Sequence, residues 1–143
     1  MYQIVHALQI SAPIEKVFEA ITTPSGLNHW WTMECSGVPV ENQIYRFVFS
    51  EDCIWSGRVT QYSPVHAIEW LMSDAQEDWE NTRVGLSLSA EGNKTNVEFY
   101  HSGWKSTNKH FRISSYCWAT YLRVLKLYLE KGIETPYEQR DLV

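Results

Sequence analysis

The segment that most restricts the fold lies near the end of the chain. "TNKHFRISSYCWATYLRVLKLYLEKG", residues 107–132, places Phe111, Trp118, Leu122, Leu125 and Leu129 on one helical stripe. Thr107 or Asn108 suits its N-cap, and Gly132 suits its stop. A long amphipathic helix needs an apolar surface of matching length to bury its stripe. The residues before it read mostly as strands. The surface is therefore an antiparallel sheet, curved strongly enough to grip one helix.

The strands show as alternation. Tyr2, Ile4, His6, Leu8 and Ile10 share one phase against Gln3, Val5, Ala7 and Gln9. "SAPIEKVFEAIT" interrupts with helical spacing at Ile14, Val17, Phe18 and Ile21; Pro13 suits its start and Glu15 its first turn. Pro24 ends it near Thr22 and Thr23 and opens a second short helix carrying Leu27, Trp30 and Trp31. "QIYRFVFS", "CIWSGRVTQYSP" and "HAIEWLMS" follow as strands, Gly57 marking a bulge or bend. "WENTRVGLSLSAEGNKTNVEFYH" reads as a hairpin turning at Glu91-Gly92-Asn93, with Val84, Leu86 and Leu88 on one face and Thr95, Val97, Phe99 and His101 in phase. The order is one strand, two short helices, about five strands and a long helix. The fold class is α+β, a curved sheet of about six strands across which the C-terminal helix packs. Residues 1–143 are expected to form one domain, with its core in 1–132 and a polar tail in 133–143 that frays or lies on the surface.

Composition narrows the partners. The net charge is −5, which disfavours nucleic acid and anionic membrane surfaces. No run reaches transmembrane length and no secretory signal opens the chain, so a cytoplasmic protein is expected. Cys35, Cys53 and Cys117 are widely spaced without a CxxC pair, so no metal site and no cofactor are expected. Aromatic residues make up 14%, with seven tryptophans. Such richness either walls a cavity or fills it.

Four stretches carry a resemblance to a known family. "SAPIEKVFEAITTPSGLNHWW" resembles its opening of strand end, helix, threonine-proline break and tryptophan pair. "IEW" stands in the middle strand, "VEFYHSGW" resembles the last strand and its exit, and "CWATYLRVLKLYLEKG" the closing helix. In this order they resemble the START-like (SRPBCC) superfamily with its helix-grip fold, and within it the family named for the activator of heat-shock-protein ATPase. Cys117 stands where that family commonly has glycine. The resemblance implies a cavity between sheet and helix. The family's co-chaperones carry a separate docking domain, for which a 143-residue chain filled by this domain is expected to leave no room.

Trp30 and Trp31 cannot share one face of a helix or strand, since neighbours point about 100° or 180° apart. One ring is expected over the core or cavity and the other against the following loop or at the rim, as a gate or as a plug. His101 and His6 share inward phases and read either as polar groups of a cavity or as hydrogen-bonded core histidines. Arg46, Arg58 and Arg83, if inward, imply an anionic ligand; outward, they face water or a surface carboxylate. Glu69 is expected to point outward. Ser115 and Tyr62 offer hydroxyls, and Cys117 reads as a small core residue.

The expected function is binding of a small hydrophobic molecule in the cavity, lined by Trp30, Trp31, Val48, Tyr62, Trp70, Leu86, Phe99, His101, Phe111, Ser115, Trp118 and Leu122, in a monomer or weak homodimer. Two alternatives stand beside it. One is a cyclase- or dehydratase-like enzyme using His101 or His6, with Arg46 or Arg58 stabilising an anion. The other is a co-chaperone-like interaction domain. No Ser-His-Asp or paired-carboxylate constellation stands out. The rings could equally fill the cavity and leave no room for a ligand.

Overall fold

The opening alternation becomes β1 (Tyr2–Ile10) in the computed structural model, which describes residues 1–142. Ile4 and Ile10 are buried on its inner face, while Gln3, Val5 and Ala7 are exposed. Pro13 leads into α1 (Ile14–Thr22), with Glu15 in the first turn, where the helix dipole favours an acid. Val17, Phe18, Ala20 and Ile21 bury its apolar side. Thr23 caps α2 (Pro24–Leu27), its Oγ1 accepting from the Gly26 N–H at 3.0 Å. This helix is shorter than its sequence suggests, and Trp30 and Trp31 fall in the turn after it.

The strands follow as β2 (Glu34–Ser36), β3 (Ile44–Ser50), β4 (Cys53–Ser63), β5 (Ala67–Asp74), β6 (Arg83–Glu91) and β7 (Lys94–Trp104). They form one antiparallel sheet in the order β1-β7-β6-β5-β4-β3-β2. It has seven strands rather than six, because β2 is only three residues long and too short to show a period. The hairpin turns where expected, with Glu91 opposite Lys94, and the β4–β5 register shifts around Gly57. First and last strands pair, placing Phe99 opposite His6 and His101 opposite Ile4.

The closing stripe becomes α3 (Lys109–Lys131). Asn108 caps it by accepting from the Phe111 N–H at 2.9 Å, and Gly132 ends it in the left-handed region at φ 64°. Lys126 donates from its Nζ to the Gln9 carbonyl and pairs with Glu130 at 2.9 Å. This side chain covers part of the open edge of β1, a position otherwise free to pair with another strand. No helix among the described residues is long and apolar enough to cross a membrane.

On the outer face, Glu69, Gly85 and Tyr100 stand in one row across β5, β6 and β7. Gly85 lacks the Cβ that would lie 2.2 Å from the Tyr100 ring, so the ring lies across it. The Tyr100 hydroxyl donates to Glu69 Oε2, and Thr60 and Arg83 donate to Oε1 at 2.7 and 3.2 Å. Glu69 thus points outward as expected, yet these partners leave it 6% exposed.

The inner face is a continuous aromatic core. Trp31 packs on Phe47 at 4.7 Å and Trp118 at 5.0 Å between ring centroids. Trp118 in turn meets Phe99 at 4.5 Å and Trp79 at 5.6 Å. Rings from the sheet, the α2 turn and α3 therefore meet at the centre, where a cavity was the expectation.

Candidate functional site

His101 is fully buried on β7. Its Nδ1 accepts from Trp118 Nε1–H at 3.1 Å. The proton must then be on Nε2, which donates to Thr82 Oγ1 at 2.8 Å, and the Thr82 hydroxyl donates to the Trp79 carbonyl. Every polar atom of the relay is used. Burial, with the charge of His110 adding to it, pushes the His101 pKa down to about 3. The imidazole is neutral, its tautomer is set by its partners, and neither nitrogen is free to take a proton from a ligand. His6 is also committed: its Nε2 donates to the Ser115 carbonyl at 3.1 Å, on the β1 side of α3.

The three arginines stay outside the core. Arg46 is exposed, Arg58 pairs across strands with Ile44 and reaches Asn42 at 3.5 Å, and Arg83 meets Glu69. No arginine among them supplies an anion site inside.

Open space appears instead at one flank of α3, beside the β3–β4 hairpin. A pocket of about 230 Å³ is walled by the rings of Trp31, Phe49, Trp55, Trp79, Tyr121 and Tyr137. Ile113, Ser114, Cys53, Cys117 and His110 complete it. Its polar groups are mostly spent. Trp79 Nε1 donates to Ser114 Oγ at 3.1 Å, and His110 Nδ1 lies 3.1 Å from Asp78. Burial raises the Cys53 and Cys117 thiols above their ordinary range and Tyr121 to about 12, so all three stay uncharged at neutral pH. Trp55 Nε1 is buried on this wall without an acceptor among the described residues. Glu77, Asp78 and His110 bring their ligating atoms within 4.8 Å at the nearby surface. Asp78 already accepts from Asn108 there, at 3.2 Å.

Of the residues expected at the cavity, Trp31 alone lines this pocket. Trp70, Leu86, Phe99, Trp118 and Leu122 are buried in the core, and Leu122 also borders a groove on the β1 side of α3. Tyr62 packs on Phe18 at 5.7 Å, and Phe111 on Trp104 at 5.3 Å. Val48 is a correction: it is buried, but on the face of β3 opposite Tyr45, Phe47 and Phe49. The tryptophan pair is another. Both rings are buried, Trp30 anchored to the Ala20 carbonyl at 2.9 Å and Trp31 at the centre of the core. The angular rule for helix and strand neighbours does not apply to a turn, which aims both rings inward. Cys117 leaves the core for the pocket wall.

The tail is docked through one residue. Tyr137–Leu142 forms a 3-10 turn, and Arg140 within it is 4% exposed. Its guanidinium donates to the carbonyls of Asn28, Thr32 at 3.1 Å and Thr135 at 3.2 Å, and stacks 5.2 Å from the Tyr137 ring centroid. Glu134 meets His29 at 2.9 Å on the same turn. A polar composition hid this docking, because the anchor is one buried cation that seeks carbonyls and leaves no apolar pattern. Val143 lies outside the described residues.

An open, curved antiparallel sheet gripping one C-terminal helix, with two short helices after the first strand, defines the helix-grip class of START-like proteins. The model of the activator of Hsp90 ATPase homolog 1-like family matches residues 11–130, and the chain belongs to that family. Its fold superposes on the solution structure of an Aha1 dimer from Colwellia psychrerythraea with a TM-score of 0.83 and 32% identity, covering 92% of this chain and 98% of that one. Protein SSP2350 from Staphylococcus saprophyticus aligns at 0.79 and 19% identity over 94% and 96% of the two chains. CalU16 from Micromonospora echinospora aligns at 0.71 and 21% over 96% and 82%. These two similarities concern the fold alone. No curated protein matches the sequence.

Proposed function

We propose that this chain binds a small, uncharged hydrophobic molecule in the ring-lined pocket between α3 and the β3–β4 hairpin. One observation carries the reading: the core is packed with rings, while this flank keeps a space of about 230 Å³ whose walls are aromatic and whose ionisable groups are neutral or already paired. The space is smaller than the roughly 300–1,000 Å³ of drug-sized sites, which suits a ligand of one or two rings. A charge placed there would lack a partner, so apolar burial is the driving force. A proton-transfer role has less support, since both nitrogens of His101 are occupied.

The test is a neutral fluorescent probe such as N-phenylnaphthylamine. Cys117→Trp places a ring in the pocket mouth and should weaken binding by about tenfold or more. Ala119→Trp, on the other flank of α3, should leave it within about twofold. Equal binding in wild type and Cys117→Trp, or loss in Ala119→Trp alone, would refute this location. The dimeric state of the Colwellia psychrerythraea relative supports self-association of this chain as well. Sedimentation at rising concentration should show a dimer, and a constant monomer mass would reject it.

A further inference from the structure

The segment after α3 reaches the ring-lined pocket through one residue. Tyr137 contributes one wall of it, and the same ring borders a second hollow of about 260 Å³ beneath Glu138, Arg140 and Asp141. Tyr121 of α3 borders both spaces too, so the two rings together form the partition, and the position of Tyr137 depends on what holds the segment down. That anchor is Arg140. Its fork reaches Asn28 and Thr32 with Nη2 and Nη1, while Nε turns back to Thr135 within the segment itself. Asn28 is the C-cap of α2, so the guanidinium fills one carbonyl at the end of the short helix and a second, of Thr32, in the turn after it. No carboxylate pairs with Arg140 among the described residues. A buried guanidinium held by carbonyls and one ring, with no carboxylate, keeps much of its desolvation cost, so release into water recovers hydration. Such a contact holds a segment in place and still lets it go.

We propose that Tyr137–Leu142 is a latch over the ring-lined pocket, and that Arg140 is the positioning residue that holds it shut. Use of the pocket by a ligand rests on the reading above; the latch itself does not. Opening swings Tyr137 away and joins the two hollows into one entrance. The free and the occupied protein are both latched, so weakening the latch changes the speed of exchange more than the affinity.

The experiment compares wild type with Arg140→Gln, Arg140→Lys and Tyr137→Ala by stopped-flow mixing with N-phenylnaphthylamine. In Arg140→Gln the association and dissociation rate constants should rise together by about fivefold, while Kd moves less than about twofold. Arg140→Lys, which keeps the charge but not the fork, should fall between. Tyr137→Ala keeps the three carbonyl partners of Arg140 but removes the ring stacked on it and the segment's part of the partition, so its rates should also rise. Unchanged rates in Arg140→Gln and Tyr137→Ala would overturn the latch. So would a rise confined to dissociation, which marks a lost wall. If no variant binds the probe, the pocket reading fails, and the latch is read from acrylamide quenching of tryptophan fluorescence. Quenching should about double in Arg140→Gln with cooperative melting retained. Unchanged quenching, or loss of cooperative melting in Arg140→Gln with Tyr137→Ala like wild type, makes Arg140 a brace of the fold and overturns the latch.

Discussion

Acid should unlock the core through His101. In the unfolded chain its imidazole takes a proton near pH 6.5, whereas in the folded protein burial holds that pKa down to about 3. Below pH 6.5 the unfolded state therefore binds more protons than the native state. The contribution of neutral His101 is complete above that value and is lost as pH falls toward 3. The slope approaches about 1.4 kcal/mol per pH unit, so moving from pH 7 to pH 5 removes about 2 kcal/mol through this one residue. The relay explains why the loss is not relieved locally: both nitrogens face fixed partners, Trp118 and Thr82, and a proton on Nδ1 would oppose the Trp118 N–H. The assay is urea unfolding at pH 7 and pH 5, followed by tryptophan fluorescence, for wild type and His101→Gln. The amide can accept from Trp118 and donate to Thr82 without titrating. His101→Gln should lose stability at both pH values, yet its loss between them should be about 2 kcal/mol smaller than the wild-type loss. Equal acid losses in the two proteins would refute the argument, as would an NMR titration of His101 with a midpoint near 6.5.

Two further outcomes follow from the geometry. Gly85→Ala drives a Cβ into the Tyr100 ring and separates Tyr100 from Glu69, at a cost of about 1–3 kcal/mol by chemical denaturation. Much of that cost should vanish in the Tyr100→Ala background, and strictly additive costs would show that the ring does not lie over Gly85. Cys117→Trp, which fills the pocket mouth and leaves His101, Trp118 and Thr82 unsubstituted, should keep the wild-type acid loss in full; a reduced loss would mean that the pocket and His101 are coupled.

The architecture was legible because alternation and helical spacing are local signals. β1, the β6–β7 hairpin, the long helix and both of its caps all lie where single residues mark them. The site was less legible because it depends on register and on turns. Val48 was expected at the cavity although it shares the phase of Arg46, and the inner face of β3 belongs to Tyr45, Phe47 and Phe49. Trp55 and Phe49 meet at 5.4 Å only because the β3–β4 pairing folds them together. Trp79 comes from the loop between β5 and β6, which carries no periodic signal. Its neighbouring positive-φ residue, Asn81, and the Thr82 that follows were the available hints of a shaped turn. Arg140 could not be foreseen from polarity, since its burial rests on carbonyls from a turn over a hundred residues away.

The tryptophans connect these observations. A curved sheet facing one helix encloses more volume than aliphatic side chains alone fill, and the chain fills it with Trp31, Trp70, Trp104 and Trp118, each at most 1% exposed. The filling has a polar consequence, because Trp118 brings an indole N–H to the centre and His101 is there to accept it. It also has a spatial one. With the centre occupied, open space is left at the flanks of the helix, and its ring-lined part lies where the helix parts from the β3–β4 hairpin, between Trp31, Phe49, Trp55, Trp79, Tyr121 and Tyr137. Tyr137 stands apart, since its segment is tied to the body by the hydrogen bonds of Arg140 to carbonyls and, just before it, by the one Glu134–His29 pair. A wall held in that way can move while the others stay packed, so access to the pocket is governed at Arg140 and the stability of the core at His101.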